Sequence, residues 1–251
     1  MQKAKFQSFF SSEAIKIVAR MNLSWRAIGV AIFCLILVAC TTDAEEEFDA
    51  ESVCPAEGMN AYGMPNRGTF IDERDGQEYK YTTIGNQVWM AQNLNYKTSY
   101  SMENDSIVNC LDCGLFYGIA GNLPSRDMID SVCPQGWRVP TEKDWNILLD
   151  TIGRVSEALE VLLSETWSDN KEFQGSNQCG FSLKESGYIK KDKKETYYGD
   201  YGSFMWTQTM SRPYYILNVF FYASDNNSKG IKFQEDFGPE YKYFSLRCIK
   251  N

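Results

Sequence analysis

Thirteen consecutive apolar residues, Ala27 to Ala39 (AIGVAIFCLILVA), run directly into Cys40 and then into the polar stretch TTDAEEEFDAES. A helix needs about 20 apolar residues to cross a bilayer, so this run is too short to span and matches the hydrophobic region of a secretory signal. A buried core helix fits poorly, because the polar stretch gives it nothing to pack against. An exported chain meets an oxidising compartment, so the cysteines beyond the signal become candidates for disulfides, and these constrain any fold strongly.

The run ends in Leu37-Val38-Ala39-Cys40. That tetrapeptide resembles the lipobox of bacterial lipoproteins, in which cleavage precedes the cysteine and its thiol is lipidated. Residues 1–39 therefore read as a signal peptide, with Met21 opening the compact sequence MNLSWRAIGV as the expected true start. Cys40 is the expected lipidation site, and its acyl chains would hold the protein to a membrane at about 0.8 kcal/mol per buried methylene. Thr41 rather than Asp follows the cysteine, which favours an outer-membrane lipoprotein. The acidic run Asp43 to Glu47 resembles the tether of surface-exposed ones, and it also reads simply as a solvated linker.

The chain contains no histidine among its 251 residues. Ser-His-Asp and Cys-His catalysis and histidine-bound metals are therefore excluded. Five basic residues and one acidic residue precede Cys40. The chain from Cys40 onward then carries 20 basic and 32 acidic side chains, a net charge of −12 against −8 for the whole sequence. Such a chain lacks the concentrated basic face that nucleic acid requires. With Cys34 in the signal and Cys40 acylated, six cysteines remain: Cys54, Cys110, Cys113, Cys133, Cys179 and Cys248. They allow three disulfides in about 15 pairings. Cys110-Leu-Asp-Cys113 has redox or zinc-knuckle spacing, but neither a second such pair nor a βαβ context accompanies it, so a structural role is expected. No metal and no cofactor is expected.

Residues 40–66 read as the lipidated cysteine and an acidic, polar tether, and residues 67–251 as one domain. Asp75-Gly76 predicts a hairpin between Thr69-Phe70-Ile71 and Tyr79-Lys80-Tyr81-Thr82, and Gly85-Asn86 a second turn before Gln87-Val88-Trp89-Met90. Thr141, with acids at 142 and 144, predicts a helix N-terminus; Trp145, Leu148, Leu149 and Ile152 then form one apolar stripe, ended by Gly153. Further helices are expected over Ser156 to Glu165, with Leu159, Leu162 and Leu163 inward, and within residues 113–130. Strands are expected at Gly180 to Leu183, Met205 to Thr207, Tyr214 to Tyr222 and Tyr243 to Cys248. Strands at both ends with helices between them argue for an α+β domain whose terminal strands can pair.

Asp72-Glu73-Arg74-Asp75-Gly76-Gln77-Glu78-Tyr79 and Ile84-Gly85-Asn86-Gln87-Val88-Trp89-Met90-Ala91-Gln92-Asn93-Leu94-Asn95-Tyr96 resemble the opening of the Fibrobacter succinogenes major paralogous domain. Cys133-Pro134-x-Gly136-Trp137-Arg138-Val139-Pro140-Thr141-x-x-x-Trp145 resembles its central motif, Gly180-Phe181-Ser182 its middle strand, and Ser245-Leu246-Arg247-Cys248 its close. The resemblance covers about residues 67–251. It implies a C-type lectin-like fold, with short antiparallel sheets, about two helices and long loops, and a bridge from Cys133 to Cys248.

The expected function is a non-catalytic, lectin-like binding module on the cell surface, for extracellular polysaccharide or another surface ligand. Aromatic faces stack on sugar rings, and Tyr197, Tyr198, Tyr201, Trp206, Tyr214 and Tyr215 flank polar loops, so they are the candidate ligand residues. Trp89, Trp137 and Trp145 are expected in the core. A protein-binding envelope or adhesion component is the alternative. An enzyme resembling the formylglycine-generating oxidases is weaker, since the reactive late cysteine pair is not evident: only Cys179 and Cys248 fall there. The calcium loop of true lectins is not found, and Asp225-Asn226-Asn227 and Glu235-Asp236 read as solvated.

Overall fold

The computed structural model describes residues 48–99, 101–102, 113–118, 131–153, 159–167, 175–190, 196–197, 202–213, 215–224, 228–237 and 242–251. The first hairpin forms where Asp75-Gly76 predicts it. Strand β1 (Arg67–Ile71) pairs antiparallel with β2 (Glu78–Ile84), Ile71 opposite Glu78. Their connection takes six residues, in which the Asp72 carbonyl accepts from Asp75 and Gly76 while its amide donates to Gln77. Gly85-Asn86 makes a true two-residue turn into β3 (Gln87–Met90), with Ile84 opposite Gln87. Gly85 sits at φ 55°, left-handed backbone that glycine adopts without penalty.

The chain end completes this sheet. Strand β13 (Ile249–Lys250) lies antiparallel between β3 and β6 (Trp137–Arg138), giving the order β1-β2-β3-β13-β6. The two ends of the domain therefore pair, as the strand distribution implies. A second sheet is built on the long meander β9 (Gly202–Arg212), β10 (Tyr215–Ser224) and β11 (Ser228–Phe237). Strand β12 (Lys242–Ser245) joins it parallel to β9, and β5 (Phe116–Gly118) and β4 (Ser101–Met102) follow outward. Strands β7 (Tyr188–Lys190) and β8 (Thr196–Tyr197) branch from β12. The described structure is thus mostly antiparallel β with two helices, an α+β arrangement.

Helix α1 (Ala50–Val53) is one turn capped by Asp49. Helix α2 (Glu142–Thr151) carries the expected capping box: Thr141 Oγ1 accepts from the Asp144 amide, and the Asp144 carboxylate accepts from the Thr141 amide. Its stripe of Trp145, Leu148, Leu149 and Ile152 is buried. Each such side chain contributes about 1.5–3 kcal/mol by leaving water. Alternation along β3 divides the interior into two clusters. Trp89 points to one with Trp145, Phe181 and Phe221, while Val88 and Met90 point to another with Tyr79, Trp137, Phe204, Trp206 and Phe244.

Four expectations are corrected. In the stretch expected as a second helix, residues 154–158 lie outside the described ones and helical backbone is seen only at Leu159 and Glu160. Leu159, Leu162 and Leu163 are buried as read, but residues 161–164 exchange backbone bonds with Gly175, Cys179 and Leu183, which consumes the groups a helix would need. Within 113–130 the described residues form strand β5, paired between β12 and β4; the remainder, 119–130, lies outside them. Gly180 to Leu183 makes a single bridge and no strand, since Gly180 and Ser182 both adopt positive φ. The closing strand breaks after Ser245, where the Leu246 and Cys248 carbonyls turn to accept from Leu94 and Met90. The expected tether also overlaps the fold. Residues 48–66 belong to the folded unit, held by a Cys54–Cys179 disulfide and by the Gly85 amide donating to Val53. Among the described residues no helix is long and apolar enough to cross a membrane.

Candidate functional site

The closing motif builds an internal polar knot. Arg247 is 1% exposed, and its guanidinium donates to Asn93 Oδ1 at 2.7 and 3.2 Å and to the carbonyls of Phe181 and Ser182. Asn93 in turn donates to the Cys113 carbonyl. These acceptors are neutral, so burial pushes the Arg247 guanidinium down to about 9. Beside it Cys133 bridges Cys248, with Cα atoms 6.0 Å apart, the pairing the family resemblance implies. Cys113 is also disulfide-bonded, and Cys110 lies outside the described residues. The knot is closed to solvent and serves the fold.

Among the described residues the aromatic candidates Trp206 and Tyr215 form no exposed face. Trp206 is 3% exposed, its Nε1 donates to the Tyr117 carbonyl at 2.6 Å, and its ring packs 4.5 Å from Phe244. This corrects its reading as a ligand residue: both faces of this part of β9 are buried, and the polar group of Trp206 is already matched. Tyr215 is half-buried beneath Arg212, whose guanidinium sits 3.7 Å from the ring centre and also pairs with Glu235. Tyr197 lies on β8 opposite Tyr188 in register, its side chain outside the described set. Tyr198, Tyr201 and Tyr214 lie outside the described residues, as do Asp225, Asn226 and Asn227. Trp89, Trp137 and Trp145 are core residues, as read.

Exposed apolar side chains appear instead on the supposed tether. Met59 is 64% and Tyr62 45% exposed. Their loop is nevertheless tightly ordered. Asn60 Oδ1 accepts from the Tyr62 and Met64 amides at 3.0 and 3.2 Å, and its Nδ2 donates to Thr83 Oγ1 and the Pro65 carbonyl. Backbone bonds from Asn60 to Met64, Gly63 to Asn60 and Asn66 to Gly58 close the loop, and Asn66 Nδ2 donates to the Glu57 carbonyl. Gly63, at φ 71°, makes the tight return possible.

Two grooves flank this segment and meet at Pro55. One, of about 220 Å³, lies between the loop and the β2–β3 turn and is lined by Ser52, Met59, Tyr62, Asn66 and Asn86 among others. The other, of about 480 Å³, is lined by Glu51, Glu57, Arg67, Gln178 and Cys54. Arg67 donates to the carbonyls of Cys54 and Gln178, and burial lowers its pKa. On β6 Arg138 is held charged first by its hydrogen bonds to Asp144, which outweigh the effect of burial. Burial pushes the Asp144 carboxyl up, but bonds from Arg138 and Thr141 outweigh it and hold it below the ordinary range. Among the described residues no cluster of three His, Cys, Asp or Glu side chains could hold a metal. The sequence reading missed Met59 and Tyr62. The signal was there in Gly58-Met59-Asn60-Ala61-Tyr62-Gly63, an asparagine turn bracketed by glycines, but it carries weight only once Cys54 is seen to be pinned.

No curated protein and no solved structure matches the chain. A family model does match, over residues 82–250, so the loop and most of its grooves lie before the matched region. The chain belongs to the Fibrobacter succinogenes major domain family.

Proposed function

We propose that the chain is an outer-membrane, surface-exposed lipoprotein, anchored at Cys40, whose non-catalytic C-type lectin-like domain binds extracellular polysaccharide. The observation that carries this reading is the braced loop exposing Met59 and Tyr62 beside a polar groove. What sets Met59 and Tyr62 apart is that one ordered loop presents both, and binding residues are disproportionately carried on loops positioned by a rigid scaffold. A pre-ordered loop loses little conformational freedom on binding. A tyrosine face next to amides and hydroxyls suits a sugar ring, which presents apolar C–H faces and a hydroxyl rim.

The prominence of Met59 favours a second reading, a protein partner, since methionine and tyrosine are enriched at protein interfaces. Pull-down on insoluble cellulose, xylan, mannan and peptidoglycan, with Tyr62→Ala alongside, tests the proposal. Binding to one of them that Tyr62→Ala abolishes supports it. Retained binding by the variant removes this loop as the site, and no binding to any polymer favours the protein partner. Mass analysis of the mature amino terminus tests the anchor: an unmodified Cys40, or a start elsewhere, overturns it.

A further inference from the structure

Asn218, Asp236 and Lys242 form a polar cluster inside the second sheet that neither the fold nor the proposed site explains. Asn218 on β10 is 1% exposed and Asp236 on β11 is 6% exposed. The Asp236 carboxylate touches both neighbours: Lys242 Nζ donates to Oδ1 at 2.7 Å, and Asn218 Nδ2 approaches Oδ2 at 3.5 Å while donating to the Gln234 carbonyl at 3.2 Å. The Asn218 carboxamide oxygen is buried and has no hydrogen-bond partner. Apolar and aromatic groups flank the cluster, while Lys190 lies opposite Lys242 in register. Trp206 and Ile216 flank it in register, and the Tyr188 ring centre is 5.4 Å from Lys242 Nζ. Burial outweighs the Lys242 contribution and raises the Asp236 pKa, so this carboxyl accepts a proton more readily than an ordinary aspartate.

A half-buried amine, a buried carboxamide and a carboxyl group that contacts both are the parts needed for an amide exchange within one chain. We propose that Lys242 and Asn218 are the reacting residues of a self-formed isopeptide cross-link, with Asp236 as the proton carrier. The Lys242 ammonium passes a proton to the Asp236 carboxylate, leaving a neutral amine and a neutral acid. The amine lone pair attacks Asn218 Cγ, forming the Cγ–Nζ bond. Asp236 gives its proton to Nδ2 and takes one from Nζ as the Cγ–Nδ2 bond breaks and ammonia departs. Ammonia then removes the proton from Asp236 as ammonium, so charge balances and no oxidant or reductant enters. The Lys242 side chain is 34% exposed, which gives ammonia a way out. The product would join β10 to β12, two strands separated in the sheet by β9.

Intact mass of the purified, reduced and denatured protein decides the matter. The expected mass is lower than that of the processed sequence by one ammonia, with a proteolytic fragment in which Lys242 is joined to Asn218. Asp236→Ala and Lys242→Arg should each restore the missing ammonia, and digestion of the variants should then yield separate peptides. A full mass for the folded wild-type protein, with unlinked Lys242 and Asn218 peptides, overturns the proposal without reference to any variant. A loss of ammonia mapped to another asparagine or glutamine overturns it equally.

Discussion

Arg247 and Asn60 each gather several hydrogen bonds, one at the centre of the fold and the other at its surface, and the two uses differ. Around Arg247 the bonds to Asn93, Phe181 and Ser182 let a cation stay buried, where an unmatched charge would be costly. Around Asn60 the bonds fix a backbone so that Met59 and Tyr62 stay in water. The first region lies inside the matched family model and the second lies before it. Each also has its own disulfide, Cys133–Cys248 for the closing motif and Cys54–Cys179 for the amino-terminal segment. Hydrogen bonding by itself therefore does not distinguish a structural knot from a presentation loop; what the bonded groups leave exposed does.

The contrast can be tested from its strongest element downward. Replacing both Cys133 and Cys248 by alanine should lower stability by about 5 kcal/mol, because the bond spans 115 residues and restrains the unfolded chain. Denaturant titration measures it. Arg247→Ala should cost about 3–5 kcal/mol, as it leaves buried acceptors without donors and opens a cavity. A value near zero would show that the knot is dispensable. Removing Cys54 and Cys179 together should cost less than removing the first pair, about 2–4 kcal/mol, since the released segment can undock and regain freedom in the native state. Equal losses for the two pairs would mean that segment 48–66 is as integral as the closing motif.

Asp144→Asn should cost about 1–2 kcal/mol through the capping box and the Arg138 pair. Its pH dependence has a definite sign. The Asp144 carboxyl sits below its ordinary 3.8 in the folded protein, so its contribution is full above that pH and is lost as pH falls through the lowered value. Asp72, also lowered, acts in the same sense; Asp236, raised, acts oppositely and weakens the fold as pH rises from 3.8 through its raised value. The difference between wild type and Asp144→Asn in urea midpoints should therefore vanish in strong acid. Smallest of all, Tyr62→Ala should change stability by no more than about 0.5 kcal/mol, as an exposed side chain does. A larger loss would make Tyr62 a packing residue and remove the contrast with Arg247.

What could be read from the sequence was local or periodic. Thr141 and Asp144 lie within one turn, and the Gly85-Asn86 hairpin and the α2 stripe need only short-range geometry. The Cys133–Cys248 bridge came through the family resemblance. Leu163 and Trp206 show the limit. Leu163 has helical spacing from Leu159, yet a bridge to Leu183, twenty residues on, decides its backbone. Trp206 sits among polar loops in sequence, and only the pairing of β9 between β10 and β12 turns it inward. The site was missed for the same reason. Nothing near Cys54 in sequence reveals Cys179, and without that bond residues 48–66 look like linker.

If the chain is anchored at Cys40 as proposed, the Cys54–Cys179 bond would also set the route of mechanical load. A domain tethered at Cys40 and dragged by a ligand would be pulled through the short stretch before Cys54. Tension would unravel the single turn Ala50–Val53 and then stop at the sulfur bridge, which passes it to Cys179 deep in the first core. The loop carrying Met59 and Tyr62 lies behind that point, so a ligand held there would load the loop itself, while the bridge would keep tension on the anchor from peeling residues 55–66 off the domain.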